Sequence, residues 1–166
     1  PFDQLDRSYQ NLIRTHVFER ELRGVLVGAP LTDVRVTLVA GKAHEKHTEG
    51  GDFREAVYRA LRQGLMQAES ILLEPWYAFR IQADSRQLGR ILSDIQRLQG
   101  VFEPPRQQEN RVTVNGRGPA AGFINYSREL AAFTKGKGMF SFRFDGYEPC
   151  QNQEELAARF SYDPEA

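Results

Sequence analysis

Two histidines stand three residues apart in the stretch GKAHEKHTEGGDF, from Gly41 to Phe53, with Glu45 between them and Lys42 and Lys46 alongside. Imidazole and carboxylate side chains held together can bind a metal ion or move a proton, and imidazole and ammonium can contact phosphate. The zinc-protease pattern H-E-x-x-H sets its histidines four apart on a helix, so that both rings face one ion. His44 and His47 are three apart, and no helical periodicity surrounds them. A third ligand would have to come from Glu45, Glu49 or Asp52, or from His16 nearer the start of the chain, and nothing in the spacing demands it. The alternative is a polar loop built to touch something. Lys42, His44, Lys46 and His47 precede Gly50 and Gly51, and cationic side chains on such a loop suit phosphate contacts, while imidazole also stacks on a base.

Two further patterns suggest chemistry. GRGPAAG, Gly116 to Gly122, follows a strand and opens a helix in the manner of a dinucleotide-binding fingerprint, but that site needs a parallel βαβ unit. KGMFSFRF has the look of the aromatic motif that stacks RNA bases, yet Met139 and Ser141 fall where aromatics are wanted, so Phe140, Phe142 and Phe144 are assigned to core packing. No G-x-x-x-x-G-K-[ST] loop and no Ser/His/Asp or Cys/His arrangement stands out, and no catalytic residue is assigned. With Cys150 as the lone cysteine, an internal disulfide framework is excluded and a structural zinc site is not expected.

The elements that position these residues follow from periodicity. Tyr9, Ile13 and Val17, with Leu12, predict an amphipathic helix from about Leu5 to Arg23, stopped by Gly24. LTDVRVTLVAG alternates Val34, Val36 and Leu38 with polar residues, as a half-buried strand does. Phe53, Ala56, Val57, Ala60, Leu61, Gly64, Leu65 and Ala68 predict a helix of about four turns. Pro75 marks a boundary, and beyond it Tyr77, Phe79, Ile81 and Ala83 alternate as a strand. A helix carrying Leu88, Ile91, Leu92, Ile95 and Leu98 follows, then two short strands around consecutive prolines, a helix opened by Pro119, and the strand MFSFRFDGY. From Trp76 to Tyr147 the order is β-α-β-β-α-β, that of a ferredoxin-like split βαβ domain. The expected core of that domain includes Phe79, Ile81, Leu88, Ile91, Leu92, Ile95, Val112, Val114, Phe140, Phe142 and Phe144. The fold class is α+β, in three stretches: 1–75, 76–148, and a tail 149–166 with a short helix through Leu156, Ala157 and Phe160. Lys plus Arg and Asp plus Glu number 22 each, so any contact with nucleic acid must come from a local patch. No apolar run approaches the roughly 18 residues of a membrane span, and the opening PFDQLDRSYQ is not a signal peptide, which gives the expectation of a cytoplasmic protein without a membrane partner.

The residues resemble the C-terminal region of translational GTPases of the elongation factor G type. The helix from Ser8, LTDVRVTLVAG, KAHEKHTEGGDF, REAVYRALRQGLMQAESI and LLEP are similar to the second part of that family's domain IV. WYAFRIQADSRQLGRILSDIQRLQG and PAAGFINYSRELAAFTKGKGMFSFRFDGYEP are similar to its domain V. Within the family, SYQN, TDVRV, GDFR and ELAAFTKGKG are most like the tetracycline-resistance ribosomal protection proteins.

The resemblance implies that the loop Lys42, His44, Glu45, Lys46, His47 and Thr48 is a domain IV tip that contacts ribosomal RNA, with His44 matching the histidine that elongation factor G carries there. Lys135 and Lys137 are expected to add secondary RNA contacts. The partners implied are the bacterial ribosome and its RNA, and the chain is expected to be monomeric. It also implies that the GTP-binding domain, with its GTP and magnesium, and the first strands of domain IV lie outside these residues. The chain then reads as a non-enzymatic piece of a ribosome-dependent GTPase that dislodges tetracycline, with no cofactor or metal of its own. The tip departs from the resistance pattern, which has a Ser-Pro-Val type sequence where Glu45, Lys46 and His47 stand. Two alternatives stay open: a translocation factor with no resistance role, and a small metal-dependent enzyme using His44 and His47.

Overall fold

The computed structural model describes residues 5–44 and 48–165. They form two units, one of the residues up to Ile71 together with those from Asn152 onward, the other Leu72–Gln151.

In the first unit, helix α1 (Arg7–Phe18) packs on helix α2 (Gly50–Gln67). Asp6 caps α1 by accepting from the Ser8 amide, and Tyr9 stacks on Phe53 with ring centroids 4.7 Å apart. Helix α1 stops at Phe18, short of Gly24, which instead sits in a turn closed by its amide donating to the Ala29 carbonyl and by an isolated bridge between Arg23 and Pro30. The apolar stripe of α2 is narrower than its periodicity suggests: Phe53 and Val57 are buried, Leu61 and Leu65 half-buried, and Ala56, Ala60, Gly64 and Ala68 exposed. Helix α6 (Gln153–Phe160) forms in the tail and groups with this unit.

The strand expected in LTDVRVTLVAG does not form. Residues 32–40 are exposed, with Val34, Val36 and Leu38 each close to half exposed and Val39 at 90 %. A strand exists only as half of a ladder, and no other described segment pairs with this one; the alternation therefore has no sheet to act on.

The second unit is the β-α-β-β-α-β sheet-and-helix sandwich its pattern implies, with one short strand added. Strand β1 (Leu73–Asp84) lies between β4 (Arg111–Pro119) and β5 (Met139–Pro149), β2 (Val101–Phe102) pairs beyond β4, β3 (Arg106–Gln108) also pairs with β4, and every pairing is antiparallel. Helices α3 (Leu88–Arg97), α4 (Ala120–Phe123) and α5 (Tyr126–Thr134) supply the covering layer. Pro75 does not interrupt β1. Leu73 and Glu74 already pair with Pro149 and Glu148, the proline falls where β4 has not yet begun, and the register slips between Pro75 and Tyr77.

Phe79, Ile81, Ala83, Ile91, Ile95, Val112, Val114, Phe123, Tyr126 and Leu130 form the buried cluster, with Leu88, Leu92 and Phe140 packed at its edge. Phe142 and Phe144 depart from the expectation: they are 48 % and 55 % exposed. These rings lie on neighbouring aromatics instead, Phe142 stacked on Tyr77 at 4.6 Å and Phe144 edge-on to Tyr147 at 5.4 Å. No helix among the described residues is long and apolar enough to cross a membrane.

Candidate nucleic-acid interface

The loop from Gly41 to Glu49 is held at both ends by the first unit. A Cβ on Gly41 would stand 2.9 Å from Leu5 Cδ2, so the chain leaves the body of the unit pressed against the residue that precedes α1. His44 and Thr48 then bond each other reciprocally: the His44 amide donates to Thr48 Oγ1 at 2.8 Å, and the Thr48 amide donates to the His44 carbonyl at 3.0 Å. The Glu49 amide donates to Asp52 Oδ2 at 2.8 Å, which fixes the first turn of α2 and places a carboxylate at its positive end. Lys42 and His44 are exposed and Thr48 is half-buried. Glu45, Lys46 and His47 lie outside the described residues. A threonine hydroxyl and a capped helix thus frame the two ends of a cationic loop, and side chains on it can engage a ligand without disturbing a core.

What keeps the two helices in place beneath that loop is a polar cluster that periodicity does not reveal. Glu19, just beyond the end of α1, accepts from His16 Nδ1 at 3.1 Å, from Arg54 Nε at 3.0 Å and from the Tyr58 hydroxyl. The Tyr58 hydrogen bond, then that of His16 and the Arg54 cation, hold the Glu19 carboxyl down at about 2. Two α2 side chains therefore converge on one carboxylate of the connecting segment. Spacing along α2 hints at it, since Arg54 and Tyr58 are four apart, but the partner is 35 residues away from Arg54.

His16 is 4 % exposed and turned toward Glu19 rather than offered to an ion, with Nε2 buried. Among the described residues no group of three His, Cys, Asp or Glu side chains is placed to hold a metal.

Lys135 and Lys137 stand in the second unit, in the turn after α5. Lys135 ends the helix in the left-handed conformation at φ 54°, Gly136 follows at φ 79°, and Thr134 Oγ1 accepts from the Gly138 amide at 2.9 Å. Both lysines are exposed. They share a unit with neither Lys42 nor His44.

The glycines of GRGPAAG serve packing. Gly116 and Gly118 lie in β4, antiparallel to β1, and a Cβ on Gly118 would stand 2.7 Å from Phe123 Cδ2 and nearer still to Cε2. They make room for the stack of Phe79 on Phe123, whose centroids are 4.5 Å apart. The resemblance to a phosphate cradle is incidental to that close approach.

The chain holds an antiparallel sheet in the order β2-β4-β1-β5 under α3 to α5 and, separately, a unit whose loop opens on a capped helix, and comparison gives their class: C-terminal domains of a translation elongation factor. The sequence matches the family described as elongation factor G, domain IV over residues 3–69 and that described as elongation factor G C-terminus over residues 71–156, and the chain belongs to this family. It is 29% identical over 161 residues to the tetracycline resistance protein TetP of Clostridium perfringens, a match that takes in 96% of this chain and 24% of that protein. A crystal structure from Thermus thermophilus superposes with a TM-score of 0.75 at 27% identity, over 94% of this chain and 23% of that one. The chain thus spans about a quarter of the length of the relatives it matches.

Proposed function

We propose that this chain is the ribosome-binding C-terminal region of a translational GTPase of the tetracycline-resistance ribosomal protection type. The observation that carries the reading is the loop from Lys42 to Thr48, which presents Lys42 and His44 from a base tied by Thr48 and by the capped start of α2. Its support in the comparisons is the elongation factor G family match together with the identity to TetP across nearly the whole chain. On this reading the loop meets ribosomal RNA, Lys135 and Lys137 add contacts from the second unit, and GTP and magnesium belong to a part of the parent outside this chain. The His44-Glu45 pair favours a second reading within the same family, a translocation factor without a resistance role.

The experiment replaces Lys42, His44, Lys46 and His47 by alanine in the full-length parent. Folding is expected to change by no more than about 0.5 kcal/mol, the usual range for substitutions that touch no core, cap or buried network. Ribosome-dependent activity is expected to fall sharply, and the log-log salt slope of ribosome binding to flatten by roughly 0.7 to 0.9 per lost phosphate contact. Full activity with an unchanged slope would make the loop merely solvated. Loss of bound zinc together with stability would favour the metal enzyme. Minimum inhibitory concentrations of tetracycline with the parent gene separate the resistance reading from the translocation one.

A further inference from the structure

Strand β5 ends the second unit's sheet on one side: it pairs with β1, and no other described segment joins its outer edge. Those backbone N–H and C=O groups of β5 that point away from β1 therefore form an open ladder. Natural sheet edges are blunted by lysine, proline or a bulge, and Met139 to Phe144 has none of these. The first such device comes later, where Asp145 and Gly146 stand against Trp76 alone and Gly146 takes φ 85°. The open stretch is also apolar at its surface, since Met139, Phe142 and Phe144 are all exposed. A flat, unprotected edge with exposed aromatic rings is a template for a further strand.

We propose that this edge pairs with the same edge of a second copy of the chain, antiparallel about a two-fold axis at Phe142. A closed dimer of this kind needs a strand that complements itself, with residue i facing j and j facing i. Centred on Phe142, the pairing sets Phe142 against its own counterpart and Phe140 against Phe144 of the second copy, so that the exposed rings cover one another. On the other face Ser141 meets Arg143 of the second copy and Met139 meets Asp145, and no like charges are opposed. Neighbouring registers do worse. Centring on Arg143 would set the two guanidinium groups against each other, and centring on Ser141 would leave Phe144 opposite Gly138. An unrelated extended peptide could use the same open ladder, but β5 already carries its own complement in aromatic rings and in charge. The pairing replaces the expectation of a monomer, and it involves the second unit alone, so it stands or falls independently of the tip loop.

The test is sedimentation velocity of the intact chain at about 1 to 100 µM, the range suited to a small interface. A species of twice the 19.0 kDa chain mass is expected to grow with concentration and to stop there. Ser141→Glu places a carboxylate opposite Arg143 of the second copy, twice by symmetry, and is expected to tighten association roughly 2- to 30-fold at low salt. Ser141→Lys is expected to weaken it by a similar factor. Both changes sit at an exposed side chain, so the comparison does not hang on a variant that fails to fold. The register is read by cysteine in a Cys150→Ser background. Cα atoms directly opposite on antiparallel strands lie about 4.5 to 5.5 Å apart, within reach of a disulfide, so Phe142→Cys is expected to give a covalent dimer on mild oxidation and Phe144→Cys is not. A single 19.0 kDa species throughout, or growth without limit beyond the dimer, would overturn the proposal. So would equal shifts from Ser141→Glu and Ser141→Lys, or crosslinking of Phe144→Cys as readily as Phe142→Cys.

Discussion

Replacing Gly118 by alanine tests the packing of the second unit at its tightest point. The backbone there is ordinary for any residue, so the whole effect comes from the new methyl group. It would stand 2.7 Å from Phe123 Cδ2, within the van der Waals envelope of a ring that is fully buried, stacked on Phe79 and unable to swing aside. Overpacking of this kind costs about 1 to 3 kcal/mol, and the alanine recovers about 0.5 kcal/mol or more through the reduced entropy of the unfolded chain. The net expectation is a loss of about 0.5 to 2.5 kcal/mol. Gly89→Ala is the control: nothing lies within 4 Å of its added methyl group and it sits in α3, so helix propensity predicts a gain of up to about 1 kcal/mol. Urea unfolding reads both changes through Trp76, the single tryptophan, which belongs to this unit. A Gly118→Ala protein as stable as the parent, with an unchanged urea slope, would refute the packing account of GRGPAAG and reopen the phosphate-cradle reading.

Ile91→Ala, at a fully buried position, is expected to cost about 2 to 5 kcal/mol, whereas Phe142→Ala, at a ring nearly half exposed, is expected to cost about 1 to 2 kcal/mol; urea unfolding that ranks them the other way would mean the sheet face is misassigned. Glu19 has its folded value held at about 2 against an ordinary 4.5, so the stabilisation it gives is present above about pH 4.5 and lost as the pH falls toward 2; acid unfolding of the first unit should lose that component in Glu19→Gln. Burial and the hydrogen bond to Asp94 push Tyr126 well above the usual tyrosine range. The second unit is therefore expected to lose stability as the pH climbs past about 10, and less so in Tyr126→Phe.

The second unit was legible because its signals are local and its partners close at hand. Phe79 and Ile81 alternate with Arg80 and Gln82, Val112 and Val114 alternate with Thr113, and pairing those strands buries one set against Ile91 and Ile95 without further help. Phe142 and Phe144 show where the same rule overreaches: alternation assigns a residue to a face, and only what covers that face decides whether it is dry. In the first unit the limit is sharper. Val34, Val36 and Leu38 carry as clean an alternation as Tyr77, Phe79 and Ile81, yet they are exposed, because periodicity records the burial a segment requires and not whether a partner is present to provide it.

The candidate sites divide along the same line. The loop of Lys42 and His44 could be found from sequence because its residue types are unusual for their place, and the structure adds the Thr48 bonds and the helix cap at its base. The Glu19 cluster could not, since two of its donors, Arg54 and Tyr58, come from α2 at separations of 35 and 39 residues that no window along the chain spans. The outward residues of the second unit's sheet fall between the two. Arg80, Arg117 and Arg143 occupy the outward beats of strands whose inward beats identified the core, so one period carried both messages and only the apolar one was read. On an antiparallel sheet covered on one side, the outward residues of neighbouring strands are as surely adjacent as the inward ones. Their types therefore describe a surface as concretely as the inward types describe a core, and here that surface brings Arg80, Arg117 and Arg143 together with Asn115 and Ser141.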